Sequence, residues 1–279
     1  MKSFAPRLAT LSLAFIFALV SAAFAQKSVE GAVGSERTFH WQGKLAPDQT
    51  VAVMNVTGSI KAEPATGDQL EITATKSGMD ADEVRVELIQ NSEGVTVCAL
   101  FPTGIEGTQN SCEAGRHSHS NNNGRHEARV DFKILIPKNL RFYAVNVNGN
   151  VRAEGLGRHA QVTSVNGDVH VSTSDVAEAS TVNGNVEASM GGNDWSGTLE
   201  FSSVNGSITL ELPSDVNANL DFAALNGDMQ SDFTMTMKSE HRNHFGPGVK
   251  ISGQIGGGGH QLEVKTVNGS FELHRRGAM

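Results

Sequence analysis

The sequence predicts an all-β protein built by repetition, a β-solenoid or β-helix-like domain of short strands with Asn-Gly corners, or alternatively a meander of β-hairpins. Three observations carry this: a recurring phrase, its even spacing, and the pattern of apolar residues around it. The phrase reads Val147-Asn148-Gly149-Asn150-Val151, then Val165-Asn166-Gly167-Asp168-Val169, Val182-Asn183-Gly184-Asn185-Val186, Val204-Asn205-Gly206-Ser207-Ile208, Leu225-Asn226-Gly227-Asp228-Met229 and Val267-Asn268-Gly269-Ser270-Phe271. Two looser copies are Val56-Thr57-Gly58-Ser59-Ile60 and Ile251-Ser252-Gly253-Gln254-Ile255.

From glycine to glycine the last seven copies are spaced 18, 17, 22, 21, 26 and 16 residues apart. A period of roughly 20 marks stacked supersecondary units. In all eight copies the residues two before and two after the glycine are apolar. Further upstream, apolar residues fall seven and five before it, as in Leu199 and Phe201 or Leu220 and Phe222. Strand side chains alternate faces, so this change of parity predicts a bend or bulge just ahead of the corner.

Asn-Gly between β-rich runs is a strong hairpin signal, because both residues accept the positive φ of a type I′ turn. A two-residue hairpin would pair the residue before Asn with the residue after Gly and place them on one face. Here the first is always apolar and the second always polar, as in Val147 and Asn150 or Val204 and Ser207. A solenoid with a corner at each Asn-Gly fits better, its Asn side chains stacking from rung to rung. The corner residues are then Asn148, Gly149, Asn166, Gly167, Asn183, Gly184, Asn205, Gly206, Asn226, Gly227, Asn268 and Gly269. On this reading the Asn residues recur because they tolerate left-handed backbone geometry and because their amides can bond the next rung.

In chain order, residues 1–25 hold Lys2 and Arg7, an apolar run from Leu8 to Val20 and Ala23-Phe24-Ala25, the pattern of a signal peptide cleaved after Ala25. The run is shorter than the roughly 20 residues a membrane span needs. Neither a Cys at the cleavage point nor a later spanning stretch follows. The expected product is soluble and exported, to the periplasm or the cell surface. Cleavage would leave 20 basic residues against 30 acidic ones, a net charge of −10. An acidic, Gly-rich chain lacks the basic patches that nucleic acid or anionic lipid would require.

Residues 26–140 are expected to form an N-terminal β portion that caps the stack, and residues 141–279 the repeat region. In the first portion Val51–Met54 leads into the early repeat copy. Strands are predicted over Leu70–Thr75, Val84–Ile89, Val95–Leu100 and Ala128–Ile136, the last ended by Pro137. Cys98 and Cys112 are the only cysteines. An even count in an exported chain predicts a disulfide, pinning Phe101–Ser111 and contributing roughly 3 kcal/mol on a loop-entropy argument.

Among polar segments, Arg116–His126 carries His117, His119 and His126, weak metal candidates because no carboxylate pair or Cys completes a usual ligand set. Ser239–His244 reads as a loop inserted between two rungs. The tract Gly256–Gly259 has no following Lys-Ser/Thr, so it is a turn rather than a phosphate loop. Catalytic residues and cofactors are not predicted.

The Ser/Thr-Val-Asn-Gly-Asp/Asn-Val phrase, the Cys98 to Cys112 loop followed by Val130-Asp131-Phe132-Lys133-Ile134-Leu135-Ile136-Pro137, and the leader together resemble the bacterial putative-adhesin family of β-strand-repeat proteins, a domain of unknown function. The resemblance runs from about Val51 to the end. It implies an exported all-β solenoid-like domain and supplies no catalytic residues.

The function classes follow from these features. The first is a non-catalytic binding or structural module of the cell envelope, adhesin-like, with an envelope or surface partner that is protein or glycan. The second is a β-helix enzyme on polysaccharide, for which Asp168 and Asp228 at equivalent corners would be the carboxylate pair. Against it, the copies between them have Asn185 and Ser207 at the same position. The third is a metal- or stress-sensing envelope protein acting through the His-rich loop.

Overall fold

The computed structural model describes residues 27–30, 36–102, 111–113, 127–242 and 248–277. The leader reading, residues 1–25, and the metal candidates His117, His119 and His126 lie outside these residues.

Each Asn-Gly copy forms two strands joined at its corner. The first portion contains β1 (Lys27–Glu30), β2 (Thr38–Gly43), β3 (Thr50–Thr57), β4 (Ile60–Pro64), β5 (Leu70–Ser77), β6 (Arg85–Asn91), β7 (Gly94–Leu100) and β8 (Arg129–Ile136). The repeats then give β9 (Arg141–Asn148) and β10 (Val151–Leu156), β11 (Ala160–Asn166) and β12 (Val169–Thr173), and β13 (Ala177–Asn183) and β14 (Val186–Met190). After β15 (Thr198–Asn205) and β16 (Ile208–Pro213) come β17 (Ala218–Asn226), β18 (Met229–Ser231), β19 (Met235–Arg242), β20 (Val249–Ile255), β21 (His260–Asn268) and β22 (Phe271–Arg276).

The two strands of a rung do not pair with each other. Before the corner, β9, β11, β13, β15, β21 and β17 lie parallel in a 12-stranded sheet; after it, β10, β12, β14, β16, β22 and β18 lie parallel in a 10-stranded sheet. This is the solenoid, and the hairpin meander is excluded. Between the sheets, inward side chains form one continuous core that includes Phe132, Phe142, Phe201, Phe222 and Phe271. Phe222 and Phe271, on neighbouring rungs, have ring centroids 5.5 Å apart.

Three details differ from the simple stack that the repeat suggests. The last copy does not end the stack: β21 lies between β15 and β17, and β22 between β16 and β18. The copy at Ile251–Ile255 is not a corner. It lies within β20, antiparallel to β17 and β19, with Gly253 opposite Leu220. The apolar-polar alternation of an ordinary strand is enough to mimic the phrase there. Ser239–Arg242, expected in a loop, forms the end of β19 against β20.

At the opposite end, β7 and β8 form a rung outside β3 and β4, and antiparallel strands β6, β1, β5 and β2 continue the two sheets. Lys76 of β5 points inward, fully buried, and its ammonium donates to the carbonyl of Val84 at 3.1 Å. Burial pushes its pKa down, while Asp82 pulls it up. An inward charge near a sheet end disfavours further stacking on that end.

The glycine at each corner is set by close approach. A Cβ on Gly206 would sit 1.9 Å from the carbonyl oxygen of Gly184, and one on Gly184 would sit 2.2 Å from that of Gly167. Both are backbone atoms of the rung below, so no rotamer can relieve the contact. Gly206→Ala is therefore expected to destabilise by about 3 kcal/mol or more, read from the denaturation midpoint. Gly67→Ala, where a Cβ would meet nothing within 4 Å, should stay within about 0.5 kcal/mol of wild type. Equal effects at the two sites would refute the close-approach account.

Candidate functional site

The corner residues come together as one continuous edge of the molecule. Asn166 Nδ2 donates to Asn148 Oδ1 at 2.9 Å, Asn183 to Asn166 at 2.8 Å, Asn205 to Asn183 at 2.8 Å, Asn268 to Asn205 at 2.8 Å and Asn226 to Asn268 at 2.7 Å. The Asn ladder thus confirms that the last copy is the fifth of six along the stack. Among the described residues Asp48 is the only non-glycine with positive φ, so these Asn residues do not adopt left-handed geometry. Their recurrence comes from the ladder, which corrects the backbone part of the expectation.

A second ladder uses the residue after each glycine. The backbone N–H of Asp168 donates to Asn150 Oδ1, that of Asn185 to Asp168 Oδ1, that of Ser207 to Asn185 Oδ1 and that of Ser270 to Ser207 Oγ. In the first portion Ser59 N–H donates to Asp131 Oδ1 at 2.7 Å in the same manner. Asn, Asp and Ser interchange here because each offers an acceptor. Asp168 and Asp228 lie four rungs apart, about 19 Å at the spacing of adjacent strands, against the 5–10 Å that a glycosidase pair needs.

A third row lies three residues before each glycine and points inward. Ser164, Thr181, Ser203 and Thr266 are buried, and their hydroxyls donate to the carbonyls of Gly149, Gly167, Gly184 and Gly206 on the rung below. Asn146 does the same for Gly58 at 2.8 Å. Sequence reasoning missed this row because it sought apolar residues at inward positions, although the Ser/Thr opening of the repeated phrase is its signal. With this row facing in, the apolar residue two before the glycine faces out. The strand therefore keeps its alternation, and the bend inferred from parity is absent.

The outward residues form exposed rows along the stack. On the 12-stranded sheet, Val182, Val204, Val267 and Leu225 are 37–47% exposed, continuing half-buried Val147 and Val165. Four residues upstream, Glu178, Glu200, Glu263 and Asp221 stand in register on adjacent strands. Between them Thr163, Ser180 and Ser202 floor a groove of about 160 Å³. At the N-terminal end the same outer face is covered. Cys98 of β7 is bonded to Cys112, and with Leu100, Ala52 and Met54 they form a second apolar cluster reaching Tyr143 and Val145.

On the 10-stranded sheet, outward charges pair along and between strands. His170 lies 2.9 Å from Glu187 and 3.3 Å from Glu154. His274 of β22 contacts Asp232 at 3.0 Å and Glu272 at 3.3 Å. The hydrogen bond to Asp232, then that to Glu272, raises the His274 pKa above its ordinary value. Among the described residues no group of three or more His, Cys, Asp and Glu is placed to hold a metal, and no helix is long and apolar enough to cross a membrane.

Ala224 takes the third-row place on the last rung and has no hydroxyl to offer Gly269. Ala224→Ser is expected to stabilise by about 1 kcal/mol in chemical denaturation, the worth of one added hydrogen bond. A loss of stability would show that the row is not set by this bond. In an NMR titration His274 should titrate above the ordinary histidine value and fall towards it in Asp232→Asn. Since its folded pKa is the higher one, the stabilisation is complete below about pH 6.5 and is lost as pH rises through the folded value. An unshifted His274 would contradict the pairing.

The family model described as Toastrack DUF4097 matches residues 49–274. No curated protein matches the sequence. Among solved structures, a putative cell adhesion protein from Clostridium sporogenes is similar at 10% identity, covering 86% of this chain and 100% of that one, with a TM-score of 0.43. A putative adhesin from Bacteroides fragilis is similar at 15% identity, covering 88% and 100%, with a TM-score of 0.35. The family match spans the rungs from β3 to β22, and the chain belongs to the Toastrack DUF4097 family.

Proposed function

We propose that this chain is an exported, non-catalytic binding or structural module of the cell envelope, whose partner is an envelope or surface protein or glycan. In this reading residues 1–25 are a cleaved leader, residues 26–140 cap the stack and residues 141–279 form its repeat region. The observation that carries it is the fate of the corner side chains. The Asn amides and the following acceptors are engaged in rung-to-rung hydrogen bonds. What remains for a partner is the outward rows of two long, regular sheets, the kind of extended surface that repeat proteins use for recognition. The Cys98–Cys112 bond supports an oxidising compartment.

The test is fractionation of cells expressing the chain with and without residues 1–25, followed by crosslinking in the intact envelope. The expected outcome is leader-dependent export, Cys98 and Cys112 resistant to alkylation until reduced, and capture of a defined envelope component. Retention inside the cell with free thiols, or turnover of an envelope polysaccharide by the purified protein, would overturn the reading.

A further inference from the structure

We infer that the open part of the 12-stranded sheet's outer face docks a basic, amphipathic segment of a partner protein, with its apolar side chains along the valine ridge and its Lys or Arg side chains on Glu178 and Glu200. The inference rests on the binding-module reading and names the partner's chemistry. Its first support is charge. The ridge of Val165, Val182 and Val204 runs along the stack, and the carboxylate row lies four residues upstream, about 13 Å away across the Ser/Thr floor. That separation matches the width of a helix with its side chains, about 10–12 Å, so one segment can touch both rows.

The chain itself shows how a cation is received. Lys265 of β21 occupies the floor row in register with Ser202, and its ammonium lies 2.8 Å from Glu263 and 3.8 Å from Glu200. One rung along, Ser180 and Ser202 leave the equivalent space open beside Glu200 and Glu178, the latter with its other side 3.2 Å from the His159 ring. The chain also shows how the face is covered. The same outer rows at Ala52, Met54, Tyr143 and Val145 are packed with Leu100 and the Cys98–Cys112 bond, and the exposed rows continue directly from that contact. An anionic membrane would be repelled by the carboxylate row, which favours a basic protein segment.

The experiment measures binding of two labelled synthetic helices to the purified protein by fluorescence anisotropy, one with Leu and Lys faces and one with Leu and Glu faces. Saturable binding of the Lys helix that weakens with salt is expected, with no binding of the Glu helix. The double variant Glu178→Gln/Glu200→Gln and the double variant Val182→Ser/Val204→Ser should each weaken it about tenfold or more. Glu211→Gln, on the other sheet, should leave it unchanged. Only variants that keep the wild-type denaturation midpoint are scored, and Val182→Thr/Val204→Thr replaces the Ser pair if that one unfolds. Absence of binding, equal binding of both helices, or binding indifferent to the sheet-face variants would overturn the inference. So would binding to phosphatidylglycerol vesicles in place of the Lys helix, or self-association abolished by the valine variants. An envelope component captured on another face would overturn this inference while leaving the module reading intact; retention inside the cell would overturn that reading itself.

Discussion

The structure depends on the contact between stacked corner glycines. Each corner brings its glycine so near the preceding glycine's carbonyl that a side-chain carbon cannot fit, as at Gly206 over Gly184. That approach lets the Gly206 N–H reach the carbonyl of Asn268 at 2.9 Å, and the Gly184 N–H that of Asn205 at 3.0 Å. The inward hydroxyl of the following rung then satisfies the glycine carbonyl. A chain turning sharply at a sheet edge leaves several backbone groups to be paired, and the repeated phrase pairs them with the next copy of itself. An exposed Asn–Asn bond contributes about 1 kcal/mol, so the ladder adds to a stack whose spacing the glycine contact imposes.

Stacking by corners has a topological consequence. The same corner contacts recur at every level, so the order of levels need not follow the order of the chain. The C-terminal copy uses that freedom: the chain completes β17 and β18, makes the antiparallel pair β19 and β20, and returns through β21 and β22 one level back. The 12-stranded sheet is extended by β20 and β19 on that side and by β6 and β1 at the far end, where β5 and β2 extend the 10-stranded sheet. Between these ends the repeated rungs present straight outward rows, and the surface available for recognition is built from those rows.

Much of the architecture was legible in the sequence. The incompatible polarity of residues such as Val204 and Ser207 argued against tight hairpins, and the period announced rungs. The level of the last rung was not legible, since Asn268 has the same neighbours in sequence whether it stacks on Asn226 or between Asn205 and Asn226. The Ile251–Ile255 copy misled because an alternating strand with Gly253 at its centre matches the apolar outline without making a corner. The inward hydroxyl row was visible as Ser164, Thr181, Ser203 and Thr266, but a search for apolar inward positions passes over it. The outward valine ridge then reads as core, and the face most open to a partner goes unseen. The disulfide followed from an even cysteine count in a chain expected to be exported, whereas its position over Met54 and Tyr143 needed the tertiary fold.

Native-state hydrogen exchange at the corner glycines tests the central claim most directly. If stacked glycine contacts hold the solenoid together, the amides of Gly167, Gly184 and Gly206 exchange only through global unfolding, with the same free energy as the core strands. Rapid exchange at these amides, with the strands still protected, would mean that the corners are loose connections and that the sheets alone sustain the fold.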